Sequence, residues 1–255
     1  MSSVAEVTPV LGGSGISCIE REASLTAARV GFWAALVLAV LTPLTFAIAI
    51  ATPPRSGPFC TGTCFAYPYM GAVEFVPRDF LWCYPAAFML PIFVVAIACL
   101  RFVVPPAKRP FGLVALGFAC IAAAIISVDY FLQIEVVQPS LLRGESNGLA
   151  ILSQYNPHGI FIALEDFGYL VLSVAFLFAG LALSSSTRLE RVLRWTLMAT
   201  FVLAFGGYIW MAWRFDANLE MRFELLAITI DWTVLIVAGV MLAALYRRAR
   251  RIFAC

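Results

Sequence analysis

Apolar residues in this chain fall in long blocks broken by short polar stretches. Arg29 and Arg55 enclose 25 uncharged positions, Asp79 and Arg101 enclose 21, Asp166 and Arg188 enclose 21, and Arg194 and Arg214 enclose 19. Two further blocks contain acids: 110–138, interrupted by Asp129 and Glu135, and 223–246, interrupted by Glu224 and Asp231. A helix crosses the hydrocarbon layer of a bilayer in about 20 apolar residues. The pattern therefore predicts an all-α, polytopic membrane protein, a single bundle of six transmembrane helices near 30–51, 80–104, 111–138, 158–184, 193–213 and 223–246.

The flanks complete the domain reading. Residues 1–29 are rich in Ser, Gly, Ala and Thr and are expected as a mobile cytoplasmic tail, ending in a short surface helix from Ser17 to Arg29. Residues 30–246 form the membrane domain, and 247–255 a basic cytoplasmic tail. The first apolar run is long for a signal peptide and follows Glu6, Glu20 and Glu22, so it is expected to be retained.

Composition agrees. Hydrophobic residues make up 62% of the 255 and charged residues 13%, with a mean hydropathy of +0.93, where a soluble domain carries about a quarter charged residues. Basic residues set the orientation, because they accumulate on the cytoplasmic side. With the N-terminus inside, twelve Lys and Arg fall inside and five outside (Arg55, Arg78, Arg143, Arg214 and Arg222). Both termini are thus expected in the cytoplasm of a multi-pass protein of the cell membrane, with loops 52–79, 139–157 and 214–222 non-cytoplasmic. The net charge of +2 follows from this asymmetry and gives a nucleic-acid partner no support.

Prolines mark irregular places. Pro43 falls inside the first helix, and Pro85 and Pro91 inside the second, each removing a backbone donor. In the first outer loop Cys60 and Cys64 are spaced to close a small disulfide under oxidising conditions, with Cys83 as a rival partner. The aromatics of that loop, among them Phe59, Phe65, Tyr67, Tyr69, Phe75, Phe80, Trp82 and Tyr84, suit an interfacial belt. Asn156 followed by Pro157 suits the start of the fourth helix.

The candidate chemistry lies in the acids. An ionisable group in hydrocarbon costs roughly 2.5–3.5 kcal/mol on insertion scales and normally faces a protein interior or a wet cavity. At about 1.5 Å rise per residue, Asp129, Glu165 and Asp231 should lie at one depth, roughly 10–15 Å below the outer boundary. His158 and Glu165 share a helix face, as do Glu224 and Asp231, and Asp129 and Gln133. The expected site is a polar pocket opening outward between the third, fourth and sixth helices. Asp129, Glu165 and Asp231 are its coupling or acid–base carboxylates. Gln133, Asp166, Tyr169 and Trp232 line it, and Glu135, His158 and Glu224 stand at its mouth.

Three function classes fit such a site. The first is binding or moving a cationic or proton-coupled solute. The second is an enzyme using carboxylate acid–base chemistry on a lipid or isoprenoid. The third is a non-catalytic subunit of a larger membrane assembly or oligomer. The expected partners are accordingly the bilayer and a small cation, a proton or a lipid-like molecule. No cofactor is predicted, although the three carboxylates offer oxygen ligands to a divalent cation such as Mg²⁺, Mn²⁺ or Ca²⁺.

Overall fold

The structure, a computed structural model, describes residues 18–254. Six of its helices are long and apolar enough to cross a membrane. They are α1 (Cys18–Ala51), α2 (Cys83–Val103), α3 (Arg109–Leu132), α4 (Ile160–Ala182), α5 (Arg188–Phe215) and α6 (Arg222–Ala254). No strand occurs among the described residues. Each helix packs on its neighbours in the chain, α6 closes the ring against α1, and α4 also touches α6. The described chain begins and ends at one end of this bundle, here the near end. The segments around Gly57, Pro157 and Met221, which touch one another, gather at the far end.

Several boundaries differ from the sequence reading. Residues 18–29, expected in a tail, are the opening turns of α1, so Ser24 and Ala28 are already buried; residues 1–17 lie outside the described residues. Arg247–Arg251, expected beyond the last helix, continue α6 to Ala254. Pro139 does not end the third span. The helix runs on as a widened π turn over Gln133–Val137 and a further helical turn over Gln138–Arg143, closed by Gly144 at φ +69°. The physical reason is local: Pro139 has no N–H, and its ring would crowd the Glu135 carbonyl of a regular α-helix. Widening the turn around Glu135 relieves that crowding.

Pro85 proves to lie in the first turn of α2, where its missing N–H costs little, leaving Pro91 as the interior proline. Asn156 does not cap α4, which starts after Gly159. Its Oδ1 accepts from the His158 N–H at 3.0 Å and its Nδ2 donates to the Ala150 carbonyl at 2.9 Å, fastening the preceding loop instead.

The main core runs the length of the bundle, and α1 and α6 pack closely along their seam. A Cβ built on Gly239 of α6 would stand 2.9 Å from the Ala39 backbone nitrogen. The two helices approach this closely only because that position has no side chain.

At the far end the first loop folds into a cap. Cys60 and Cys64 are disulfide-bonded, and Cys83 is a free, buried thiol. Ala72 and Phe80 join Val137, Leu141, Leu149 and Tyr155 in a second apolar cluster, with Phe65 packed against it. The loop aromatics thus divide. Phe80 and Trp82 are buried, while Tyr67, Phe59 and Tyr84 remain exposed as an interfacial belt requires. The cap is pinned by Asp79, which is buried and takes Arg55 Nε at 2.5 Å and Arg78 Nε at 2.9 Å. The Arg55 guanidinium also lies 3.5 Å from the centre of the Phe75 ring.

A buried carboxyl cluster behind an aromatic cavity

α3, α4 and α6 each turn one face of mixed aromatic and acidic residues toward the far half of the core. The helical repeat decides which: Asp129 and Tyr130 of α3 are both buried, while the adjoining Phe131 is exposed. On α4, Glu165 and Tyr169, four residues apart, point inward together, and Phe167 points outward. On α6, Asp231 and Trp232 are fully buried.

A chain of hydrogen bonds ties these helices together. Trp232 Nε1 donates to the Tyr169 hydroxyl at 2.7 Å, the Tyr169 and Tyr130 hydroxyls meet at 2.6 Å, and Tyr130 donates to Glu165 Oε1 at 2.5 Å. Glu165 Oε2 meets no amide or hydroxyl donor. The Glu224 carboxyl of α6 lies beside Glu165.

Asp129 is buried near Glu165 and Glu224, and its Oδ2 has no partner. Asp166 is half-buried, also near Glu224, with an unpartnered Oδ1. Cys83 lies beside Glu165 and Asp129. Asp231 stands apart: it is near Tyr169 and not against another acid, it is fully buried, and neither of its oxygens has a partner. Four acids therefore gather, Asp129, Glu165, Asp166 and Glu224, and Asp231 sits beside the aromatic chain.

The remaining expected residues lie elsewhere. Gln133 turns to the 149–156 loop. Its Nε2 donates to the Leu152 carbonyl at 2.6 Å and its Oε1 accepts from the Gln154 N–H at 3.1 Å, which fastens the 149–156 loop to α3. Glu135 and His158 are exposed, and no bond joins either side chain to the cluster. Among the described residues no three His, Cys, Asp or Glu side chains converge to hold a metal ion.

The cavity is also differently placed. A void of about 210 Å³ lies between α1 and α6 under the cap, where an opening between α3, α4 and α6 is expected from the sequence. Phe46, Trp82, Tyr155 and Trp232 supply its aromatic walls, Glu224 and Arg55 its charged groups, and the exposed Ile50 and Leu225 its rim. The Trp232 ring meets Phe46 at 5.5 Å and Trp82 at 6.3 Å between centroids, and Trp82 meets Tyr130 at 5.1 Å. Burial, and the Asp79 carboxylate beside it, push the Tyr155 phenol above its ordinary value, so it faces the cavity as a neutral hydroxyl. Glu224 and Trp232 are the residues that belong both to the cavity wall and to the buried cluster.

Sequence reasoning places Tyr130 and Trp232 beside the acids and misses Trp82 and the Arg55–Asp79 pair as parts of this region. Comparison with known families, with curated proteins and with solved structures finds no match to this chain.

Proposed function

We propose that this is a membrane-embedded acid–base protein that takes a lipid-soluble small molecule into the cavity between α1 and α6 and exchanges a proton with it through Glu224, backed by Glu165. In this reading both termini are cytoplasmic and the cap lies on the non-cytoplasmic side, as the basic residues favour. The observation that carries it is the position of Glu224, at once on the cavity wall and beside the buried Glu165.

The walls support a ligand with an apolar body. Aromatic and aliphatic side chains make up most of them, and the rim is formed by Ile50 and Leu225, which are 71% and 51% exposed and suit a sideways opening to lipid better than one to water. Behind the wall, Tyr130, Tyr169 and Trp232 hold Glu165 in one orientation, as a group that gives up or takes a proton at a fixed place must be held. Arg55 is engaged by Asp79, which leaves Glu224 as the cavity's uncompensated charge-bearing group. A second reading rests on that same point: a carboxyl lining the same cavity as Trp82 and Trp232 suits an amine or another lipid-soluble cation, by charge and by cation–π attraction.

Photo-crosslinking separates the two. The purified chain is exposed to a diazirine-bearing long-chain alcohol and to the matching long-chain amine. Labelling within 46–56 and 221–232 by both probes supports the acid–base reading, and labelling by the amine alone, lost in Glu224→Gln, supports the cation reading. Ala49→Trp, which fills the cavity, should remove either label; equal labelling of that variant would sink both.

A further inference from the structure

Two side chains in the wall of the α1–α6 cavity are left without hydrogen bonds. Ser56 and Tyr155 both line it, each is 5% exposed, and neither the Ser56 Oγ nor the Tyr155 hydroxyl has a partner. For Ser56 the cause is local. It stands at the N-cap of a single 3₁₀ turn, Gly57–Phe59, where a serine oxygen ordinarily accepts from the backbone two or three positions on, but Pro58 has no N–H and the side chain makes no cap. The Tyr155 ring is fixed edge-on against Phe65 and Phe80, at 5.0 and 6.1 Å between centroids, and the neighbouring Gln154 turns its amide to the Asp79 carbonyl. Leaving a buried hydroxyl unbonded is costly, so two on one cavity wall mark where a ligand's polar atom belongs.

We infer that the ligand presents a carbonyl oxygen to Ser56 and Tyr155, which makes the cavity a site for a lipid-soluble ketone. This rests on the reading of Glu224 as the proton-exchanging group. A carbonyl oxygen has two lone pairs and no proton, which matches two O–H donors. Burial keeps Tyr155 neutral and able to donate. Phe46, Ile50 and Leu225 supply apolar wall for the rest of the molecule. Glu224, on the same wall, gives the carbonyl a chemical purpose. When its carboxylate takes a proton from the carbon beside the carbonyl, the C–H electron pair passes to oxygen as an enolate, and the two hydroxyls stabilise the charge that forms there. Return of the proton to that carbon, or to the far end of a conjugated double bond, restores the ketone, so nothing is consumed.

Thermal unfolding of the full chain in maltoside detergent tests this with a long-chain methyl ketone, the matching alkane and the matching primary amine. The infrared carbonyl band of the ketone, isotope-labelled at its carbonyl carbon, is recorded alongside. The ketone should stabilise the chain more than the alkane or the amine, and its bound band should fall below that of the same ketone in hydrocarbon. Tyr155→Phe and Ser56→Ala should each weaken the ketone about fivefold and reverse part of the band shift. Without ligand neither variant should melt below the wild type, because neither removes a bond. No greater stabilisation by the ketone than by the alkane or amine, a bound band at its hydrocarbon position, or early melting of both unliganded variants overturns the inference. Labelling of the cavity by the diazirine probes would then leave the Glu224 reading standing, and absence of that labelling would remove both.

Discussion

Tyr130 donates to Glu165 across the α3–α4 contact at 2.5 Å, and the same hydroxyl meets Tyr169 at 2.6 Å. One oxygen atom therefore links an acid to an aromatic chain that ends on α6 at Trp232. Tyr130→Phe keeps the ring and removes this link. Leaving buried partners unsatisfied costs about 1–3 kcal/mol, and in a chain of this size each kcal/mol lowers the melting temperature by roughly 2–4 °C. Combined with Glu165→Gln the losses should be less than additive, because both variants break one bond. Strict additivity in thermal unfolding would mean that the two residues do not act together.

The cap makes a sharper prediction. Arg55 and Asp79 are both buried, and breaking such a pair from one side costs roughly 3–5 kcal/mol. Arg55→Gln and Asp79→Asn should therefore each melt early and open loop 52–82 to protease. Arg78 also bonds Asp79, but its side chain is 62% exposed, so Arg78→Ala should cost no more than about 1 kcal/mol. A ranking with Arg78 first would contradict the cap as described.

Two glycines should respond in opposite ways to the same change. Gly239→Ala places a Cβ 2.9 Å from the Ala39 nitrogen and 3.1 Å from its Cα, and these are backbone atoms that move only if α1 and α6 part. A Cβ on Gly206 meets nothing within 4 Å. Gly206→Ala should gain about 0.5–1 kcal/mol from helix propensity, while Gly239→Ala lowers the melting temperature. Comparable melting curves for the two variants would argue against the close α1–α6 seam.

The Cys60–Cys64 bridge offers a test of orientation. In intact cells a membrane-impermeant maleimide should label these two positions only after an impermeant reductant has been added, if the cap lies outside. Replacing the pair by serine should cost at most about 2 kcal/mol, because the closed ring is short. Labelling that requires permeabilised cells would reverse the proposed topology.

The amino-acid sequence by itself determined that six apolar blocks become six helices, because each must satisfy its own backbone hydrogen bonds wherever water is scarce. It also determined which helix faces carry acid, since the 3.6-residue repeat places Glu165 and Tyr169 together and turns Phe167 away. It could not determine which faces meet. Gln133 shares a face with Asp129, yet the structure uses it to hold a loop whose path no local pattern encodes. Glu224 belongs to the cavity through α1, a helix more than 170 residues distant in the chain. Such neighbours are chosen by packing, here by the absence of a side chain at Gly239 and by the π turn before Pro139. Tertiary structure alone therefore decided that the acids are enclosed and that the opening lies beside them, between α1 and α6.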